Sequence, residues 1–172
     1  MPTESKFESN MVTFKRRGVR FKHRVGAIVM DGQERILLVY SPDDFWFIPG
    51  GHVELMESAQ ETVRREMEEE LGFTPASERL LWIIEDFYHY RDDVHEVAMY
   101  FLVRPPEGCA LLDGRETVTL DEEGLAFEAR WFALDALDGV DLRPSCLIEL
   151  LRDIPDEPRH VVFREGTVGG IG

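Results

Sequence analysis

The segment that most constrains this chain is a predicted helix over residues 59–71, because sequence signals mark both of its ends. Ser58, followed three residues later by Glu61, is a capping box, which satisfies free N–H groups at a helix start. Gly72 suits the left-handed conformation in which many helices end. At about 3.6 residues per turn, one face of this helix is apolar and should be buried. That face consists of Ala59, Val63, Met67 and Leu71.

Three glutamates accompany this apolar face. Glu66 and Glu70 are one turn apart at its edge, and Glu69 lies beside them. Isolated carboxylates are costly to bury, and like charges one turn apart repel each other, so a bound divalent cation would remove both penalties. Carboxylate oxygens favour Mg²⁺ or Mn²⁺ over zinc. The alternative is a solvent-exposed acidic helix face, which is the usual state of a run of charges.

The residues around the helix resemble the Nudix box, Gly-x5-Glu-x7-Arg-Glu-U-x-Glu-Glu-x-Gly-U, in which U is a bulky apolar residue. All fixed positions of this 23-residue pattern are filled, which makes the match far more specific than a lone glycine-rich motif. They are Gly51, Glu57, Arg65, Glu66, Met67, Glu69, Glu70, Gly72 and Phe73. The resemblance covers residues 20–150. It implies the α/β (α+β) class, as a Nudix-like α/β/α sandwich with a mixed β-sheet between helices.

The resemblance implies a Nudix hydrolase, which cleaves the pyrophosphate linkage of a nucleoside diphosphate joined to another moiety, or of a related nucleotide. Water attacks phosphorus in this reaction, and the implied cofactor is Mg²⁺ or Mn²⁺ with two or more ions. Sugar nucleotides, ADP-ribose, oxidised nucleoside triphosphates and dinucleoside polyphosphates all share the linkage. The identity of the second moiety therefore stays open at the level of sequence.

The same resemblance assigns roles to individual residues. The implied metal ligands are Glu66, Glu69, Glu70 and the Gly51 carbonyl oxygen. A further glutamate, Glu123 or Glu128, completes the metal site. Glu66 and Glu69 are the implied catalytic carboxylates, with Glu69 as the general base or a bridging ligand. Arg65 orients these glutamates, because its planar guanidinium can hold a carboxylate in a chosen rotamer.

The loop before the box supplies the candidate substrate-binding residues. Gly50 and Gly51 permit close approach of the backbone to a ligand. His52 either contacts phosphate or is an exposed loop histidine. Trp46 either stacks on a base or, as is more common for an aromatic residue before a turn, packs into the core. Met56 occupies a position where many members of the resembled family carry glycine.

Apolar, β-branched runs predict the strands of the sheet. Two of them, residues 24–30 and 35–40, are hydrophobic throughout, which is typical of strands buried on both faces. The other predicted strands are residues 80–90, 95–103, 127–132 and 159–165. A polar turn over 91–94, an acidic loop over 114–124 and a short amphipathic helix over 143–152 complete the expectation.

The 172 residues suit a single domain. We expect residues 1–12 to be a disordered segment, residues 13–165 to be one Nudix domain and residues 166–172 to be a flexible tail. The formal net charge is −15. The first 24 residues carry seven Lys or Arg and two Glu, a net +5, so the rest of the chain carries −20. Within them, the basic segment 15–24 is either an edge strand guarded by cations or a patch that steers phosphates.

Composition also limits the partners. A strongly acidic body repels polyanions, so we expect a small nucleotide substrate and no nucleic-acid polymer. No apolar run approaches the ~18 residues of a membrane span, and the polar start is no signal peptide, so no membrane partner is expected. The two cysteines lack metal-type spacing, which favours a reducing cytoplasm. A homodimer is compatible with the predicted edge strand and with the resembled family.

Two alternatives from other classes are open. The first is a non-catalytic sensor that binds ADP-ribose or a similar nucleotide on the same fold, although such modules usually lose glutamates of the box. The second is an enzyme similar to isopentenyl diphosphate isomerase, whose chemistry needs an active-site cysteine. Neither Cys109 nor Cys146 stands in a sequence context that supports this role.

Overall fold

The structure is a computed structural model, and it describes residues 10–122 and 125–165. Within these residues, ten strands form two five-stranded sheets. The strands are β1 (Thr13–Arg16), β2 (Val19–Val29), β3 (Arg35–Tyr40), β4 (Trp46–Phe47), β5 (Ser77–Tyr90), β6 (Asp92–Arg104), β7 (Thr117–Glu122), β8 (Leu125–Ala133), β9 (Leu142–Arg143) and β10 (Arg159–Arg164). The α-helices are α1 (Ala59–Leu71) and α2 (Leu147–Leu150), and short 3-10 helices cover Ala110–Leu112 and Leu134–Ala136.

Both sheets are mixed. The first has the order β1-β2-β6-β5-β10, in which β2 runs parallel to β6 and β5 parallel to β10. The second has the order β7-β8-β3-β4-β9, in which β4 and β9 are parallel. The predicted α+β class is confirmed. The sequence predicted one mixed sheet between helices. The described residues instead form two sheets and one helix of more than four residues.

Strands β2 and β3 contribute to two hydrophobic cores at once. Their residues Val25, Ala27, Val29, Leu37 and Val39 belong to the core that α1 covers. Their residues Ile28, Met30, Ile36 and Leu38 belong to a second core around Trp82. Because successive side chains of a strand point to opposite faces, this division confirms the predicted burial of both strands on both faces. Each fully buried side chain contributes about 1.5–3 kcal/mol to folding.

Helix α1 has the predicted bounds and caps. The Glu61 N–H donates to Ser58 Oγ (3.2 Å), and the Ser58 N–H donates to Glu61 Oε2 (2.8 Å). Gly72 adopts φ 71°, the left-handed conformation that the sequence predicted. Val63 and Met67 are fully buried in the first core. The apolar face therefore fixes the rotation of the helix, and with it the position of the glutamates.

Four predicted segments differ in the structure. The strand predicted from residue 24 begins at Val19, because β1 pairs antiparallel with the start of β2. The predicted turn over 91–94 is a single residue, Arg91, since Tyr90 pairs directly with Asp92. The predicted acidic loop over 114–124 is wrong, because Thr117–Glu122 forms β7.

The helix predicted over residues 143–152 is shorter than expected. Arg143 instead pairs with Phe47 between β9 and β4, and the helical residues are Leu147–Leu150. Pro144 follows Arg143, and a residue before proline is disfavoured in a helix. The predicted strand over 159–165 is present as β10.

At the ends of the chain, residues 1–9 and 166–172 lie outside the described residues, and so do most of the predicted disordered segment and the predicted tail. Val12 is described, and its N–H donates to the Val53 carbonyl (2.7 Å). Strand β1 lies at the edge of the first sheet, where Lys15 and Arg20 both pair with Asp92. None of the helices in residues 10–122 and 125–165 is long and apolar enough to cross a membrane.

Candidate active site

The loop that precedes α1 is fixed against β2 by backbone hydrogen bonds. The Val25 N–H donates to the Gly51 carbonyl (2.9 Å), and the Ala27 N–H donates to the Pro49 carbonyl (2.8 Å). The Val53 N–H donates to the His23 carbonyl (3.0 Å). Helix α1 packs on the same strand through its apolar face. Strand β2 thus brings the glycine loop and the glutamate helix together.

Glycine is required where the loop meets the helix. A Cβ atom at Gly51 would lie 2.1 Å from Glu66 Oε1 and 2.2 Å from its Cδ. A Cβ atom at Gly50 would lie 2.2 Å from the Val25 carbonyl oxygen, and Gly50 has φ 150°. The backbone therefore lies too close to Glu66 at Gly51, and too close to β2 at Gly50, for a side chain at either position.

The three box glutamates have different environments. Glu66 is buried, and its pKa is raised, chiefly by burial and also by Glu69, although Arg65 opposes the shift. Glu70 Oε2 accepts a hydrogen bond from the Gly50 N–H (3.2 Å). The Glu69 side chain is 60% exposed. Each of the three glutamates is therefore held by a hydrogen bond, Glu66 and Glu69 to Arg65 and Glu70 to the Gly50 N–H.

Arg65 is the centre of this arrangement. Its Nε and Nη2 donate to Glu57 Oε1 (2.9 Å) and Oε2 (3.0 Å), a bidentate pair. Its Nη1 donates to Glu66 Oε1 (2.9 Å) and Glu69 Oε2 (3.2 Å), and its Nη2 also reaches the His52 carbonyl (3.2 Å). One guanidinium thus links three carboxylates to the loop, which is the geometry expected of an orienting residue.

Glu57 supports Arg65 from the start of α1. Its Oε2 also accepts from the Thr62 hydroxyl (2.8 Å) and the Glu54 N–H (3.2 Å). Met56, which precedes Glu57, has φ 68°, a left-handed conformation that glycine adopts without strain.

The hydrogen bonds to Glu57, with Arg65 as the largest cause, lower the pKa of Glu57 to about 2. Glu57 is therefore a permanent carboxylate that holds Arg65 in place.

The donor set of this region fits a hard divalent cation. Carboxylate oxygens come from Glu66, Glu69 and Glu70, and the Gly51 carbonyl uses one of its two lone pairs for Val25. The contact between Gly51 and Glu66 leaves no room for a side chain, which keeps carbonyl and carboxylate oxygens together. In the described residues, no three His, Cys, Asp or Glu side chains are grouped at metal-binding distance. Arg65 and the Gly50 N–H hold the glutamates instead.

The additional glutamates are placed differently. Glu123 lies outside the described residues. Glu128 is exposed and pairs with Arg130 (2.8 Å). Ala129, its neighbour on β8, faces the core under α1, so Glu128 lies on the opposite face of the sheet. The structure does not bring Glu128 to the box glutamates.

A cavity of about 360 Å³ adjoins the glycine loop. Its wall includes Val25 and Gly26, whose backbone atoms lie close to Gly50. Aromatic residues contribute much of the remaining lining, namely Phe45, Phe47, Tyr88, Tyr90 and Tyr100. Trp46 is not among them, since it packs against Tyr40 and Phe132, each with a ring-centroid distance of 4.9 Å. Its core interpretation therefore agrees with the structure better than stacking on a base.

His52 follows Gly51 at the start of the box. Its backbone pairs with Arg24 of β2 in an isolated antiparallel β-bridge, and the residue is half-buried. Burial, followed by the charges of Arg24 and Lys22, lowers the pKa of His52 to about 4. The imidazole is therefore neutral at pH 7 and adds no positive charge to a phosphate site.

Several charged cavity residues were not identified from the sequence. They are Asp86, Glu96, Arg143 and Glu165, whereas Lys22 and Arg24 belong to the basic segment 15–24, for which the sequence offered phosphate steering as one interpretation. Asp86 and Glu96 sit directly opposite each other on β5 and β6. An alternation of polar and aromatic residues, as in Asp86, Tyr88 and Tyr90, was the available signal, because these positions share one face of a strand.

Cys146 does not offer a thiolate. Burial raises the pKa of the Cys146 thiol to about 12, so it is protonated at neutral pH. A protonated thiol is a poor nucleophile and a poor metal ligand. This environment disfavours the isomerase-like alternative.

Known proteins share these features. A model of the NUDIX domain matches residues 20–151. The putative ADP-ribose pyrophosphatase YjhB of Bacillus subtilis (strain 168) is 30% identical over 135 residues, which are 77% of this chain and 62% of that protein. The chain spans less than two thirds of the length of each curated relative that it matches at this level of similarity.

Solved structures give the same result for the fold. The MutT NUDIX hydrolase from Burkholderia pseudomallei superposes with a TM-score of 0.58 at 26% identity, covering 78% of this chain and 98% of that chain. The MutT protein from Bacillus halodurans superposes with a TM-score of 0.62 at 20% identity, covering 83% and 89% of the two chains. The second likeness concerns the fold alone.

Proposed function

This chain belongs to the NUDIX family, as its box predicted, and on that premise we propose that it is a Mg²⁺-dependent pyrophosphohydrolase. Its substrate is a nucleoside diphosphate linked to another moiety, or a related nucleotide. Water attacks phosphorus and breaks the pyrophosphate linkage. The observation that carries this proposal is the Glu66 carboxylate, buried against the Gly51 backbone and bonded to Arg65.

The proposed metal site uses Glu66, Glu69, Glu70 and the Gly51 carbonyl oxygen to hold Mg²⁺ or Mn²⁺. When bound, such ions supply the positive charge that offsets charge developing on the pyrophosphate oxygens in the transition state. Two or more ions are consistent with three carboxylates on one helix face. The placement of Glu128 on the opposite face of its sheet leaves Glu123 as the better candidate for an additional ligand.

The residues of the chain have separate tasks in this proposal. Arg65 keeps Glu66 and Glu69 in fixed rotamers, since it is itself anchored by Glu57. Glu69 is the proposed base, because it is the most exposed glutamate bonded to Arg65 and can accept a proton from water at Oε2. Gly50 and Gly51 let the substrate approach the backbone. The N–H group of neutral His52 can donate a hydrogen bond to a phosphate oxygen.

The test is a substrate panel with Mg²⁺ and with Mn²⁺, containing sugar nucleotides, ADP-ribose, oxidised nucleoside triphosphates and dinucleoside polyphosphates. We expect release of a mononucleotide or of phosphate from at least one compound, and loss of that release with EDTA. Tight nucleotide binding without any release would instead identify the protein as a non-catalytic sensor. ADP-ribose has priority in the panel, given the name of the Bacillus subtilis relative.

The proposal extends to the setting of the enzyme. We assign residues 13–165 to one domain with a small nucleotide as partner, because the net charge of −15 opposes nucleic-acid polymers. We also propose that the protein is located in the cytoplasm and that it forms a homodimer. The stacked, partly exposed pair Phe14 and Phe21 on the edge of the first sheet supports self-association. Light scattering after size-exclusion chromatography should give about twice the monomer mass of 19.8 kDa, and a monomer mass would contradict the dimer.

A further inference from the structure

The cavity beside the glycine loop has walls of opposite charge. Lys22 and Arg24 of β2 form the cationic wall, Glu96 of β6 lies directly opposite Lys22, and Asp86 lies one strand further away on β5. Arg24 belongs to the side near the box, because it is bridged to His52 and acts electrostatically on Glu66. Strand β6 separates β2 from β5, so Asp86 lies about 10 Å across the sheet from β2. The two walls can therefore contact different parts of one nucleotide.

Asp86 is an unusual lining residue. It is only 4% exposed, and its Oδ1 has no hydrogen-bond partner among the described residues. Glu96 and Glu165 act on it electrostatically from two other parts of the chain, and the backbone N–H of Phe87 donates a hydrogen bond to the carboxylate. Burial, followed by these two glutamates, raises the pKa of Asp86 to about 7. Buried carboxyl groups without partners are rare in native proteins, and each one calls for an explanation.

Glu96 does not share this condition. The Tyr88 hydroxyl donates to Glu96 Oε2 (3.0 Å), and Lys22 Nζ donates to the Tyr88 oxygen (3.2 Å). These two hydrogen bonds, through the Tyr88 hydroxyl, connect the Glu96 carboxylate to Lys22 of the cationic wall. Asp86 therefore keeps one buried carboxylate oxygen, Oδ1, that no group in residues 10–122 and 125–165 satisfies.

We propose that Asp86 determines specificity by accepting N–H groups from the nitrogen heterocycle of the substrate, while Arg24 and Lys22 orient the phosphates towards the box. A donor that arrives through the cavity would satisfy the buried carboxyl, and the aromatic lining, such as Phe45 and Tyr100, offers flat faces for a ring. The inference rests on the proposed function for the direction of the phosphates. It adds a residue outside the box that selects the base.

The test compares ligands with and without a heterocycle. AMP, GMP, CMP, UMP and ribose 5-phosphate are titrated calorimetrically in the presence of Mg²⁺ into the full chain. We expect at least one mononucleotide to bind 10-fold or more tightly than ribose 5-phosphate. In Asp86→Leu, which has no acceptor, this advantage should fall by about 10-fold or more, and in Asp86→Asn, which keeps one acceptor oxygen and gains a donor, it should fall by a smaller factor above two.

A matched control lies next in the chain. Glu85 is on the opposite face of β5, where it contacts His160 at 2.8 Å, so Glu85→Gln should keep the wild-type advantage. The inference is overturned if mononucleotides bind no better than ribose 5-phosphate, or if both Asp86 variants keep the advantage within two-fold. Circular dichroism and thermal unfolding show whether each variant is folded.

The outcomes separate this inference from the proposed function. Binding that depends on Asp86, in a protein that hydrolyses nothing in the panel, would sustain the specificity role and refute the hydrolase. Hydrolysis that is unchanged in selectivity and binding in both Asp86 variants would sustain the hydrolase and refute the specificity role.

Discussion

Two groups of carboxylates in this protein are managed in opposite ways. Around α1, Arg65 binds Glu57, Glu66 and Glu69, and the pKa of Glu57 falls to about 2. In the cavity, no cation from the part of the chain that the structure describes bonds to Asp86, and the pKa of Asp86 rises to about 7. Both groups have partly or fully buried members, so burial alone does not explain the difference.

The comparison shows that the arrangement of cations decides what a buried acid can do. Around α1 the Arg65 guanidinium opposes the rise in pKa that burial causes at Glu66, and it keeps Glu57 charged at every physiological pH, which suits a cation site. The Asp86 carboxyl, with a pKa of about 7, is about half protonated at neutral pH, which suits contact with an uncharged ring. The first group belongs to the proposed chemistry, and the second to the proposed recognition of the substrate.

Removing a charge from the first group should have the largest effect. Glu69→Gln and Glu70→Gln should each lower kcat by about 10²–10⁴-fold, because a proposed base or metal ligand is lost. Steady-state kinetics on the best substrate of the panel measures this. Glu68→Gln is the control on the same helix, since Glu68 contacts Thr74 and not Arg65. A variant of Glu69 or Glu70 within a few-fold of wild type would refute its role.

A methyl group at the centre of the first group should have the next largest effect. In Gly51→Ala the new Cβ meets Glu66 Oε1, so the carboxylate must move away from the loop. Displacement of a reacting group by about 1 Å can cost about 10²-fold in rate, and we expect kcat to fall by about that factor. Gly32→Ala is the control, because a Cβ atom there meets nothing within 4 Å. Equal kinetics of both variants would contradict the proposed contact.

In the second group, a neutral replacement should stabilise the protein. The pKa of Asp86 is about 7 in the folded protein against a reference of 3.8, so folding becomes less favourable as the pH rises from about 4 to 7. Asp86→Asn should therefore raise the free energy of unfolding by about 1–3 kcal/mol at pH 8 and change it little at pH 4. Urea denaturation at both pH values measures the difference. A destabilised variant at pH 8 would show that the Asp86 charge is compensated.

Neutralising Glu57 should lower the free energy of unfolding, the opposite of the effect expected at Asp86. Its pKa is about 2 in the folded protein against a reference of 4.5, so its contribution is present above pH 4.5 and is lost as the pH falls through 2. Glu57→Gln should lower the free energy of unfolding by about 1–2 kcal/mol at pH 7 and leave it unchanged near pH 2. Glu107→Gln, at an exposed position, serves as the control. An equal loss at both pH values would mean that Glu57 acts through packing.

Local signals allowed much of α1 and its surroundings to be predicted. The capping box, the apolar face and Gly72 identify the helix because each depends on residues within one or two turns. The double burial of β2 and β3 was visible for a similar reason, since a run of apolar residues records both faces of a strand. Strand β7 was missed because its charged residues resemble a loop, although β8 pairs with it along its length.

The sequence by itself determined that acidic side chains lie on one edge of a buried helix, because the period of the helix and its caps follow from neighbouring residues. Only the tertiary structure decided which acids receive a cation and which do not. Arg65 meets Glu57 across eight residues, but Asp86 meets Glu96 through the pairing of two strands and Glu165 through a strand from the end of the chain. Burial and charge at such positions depend on contacts between distant segments, and no local pattern records them.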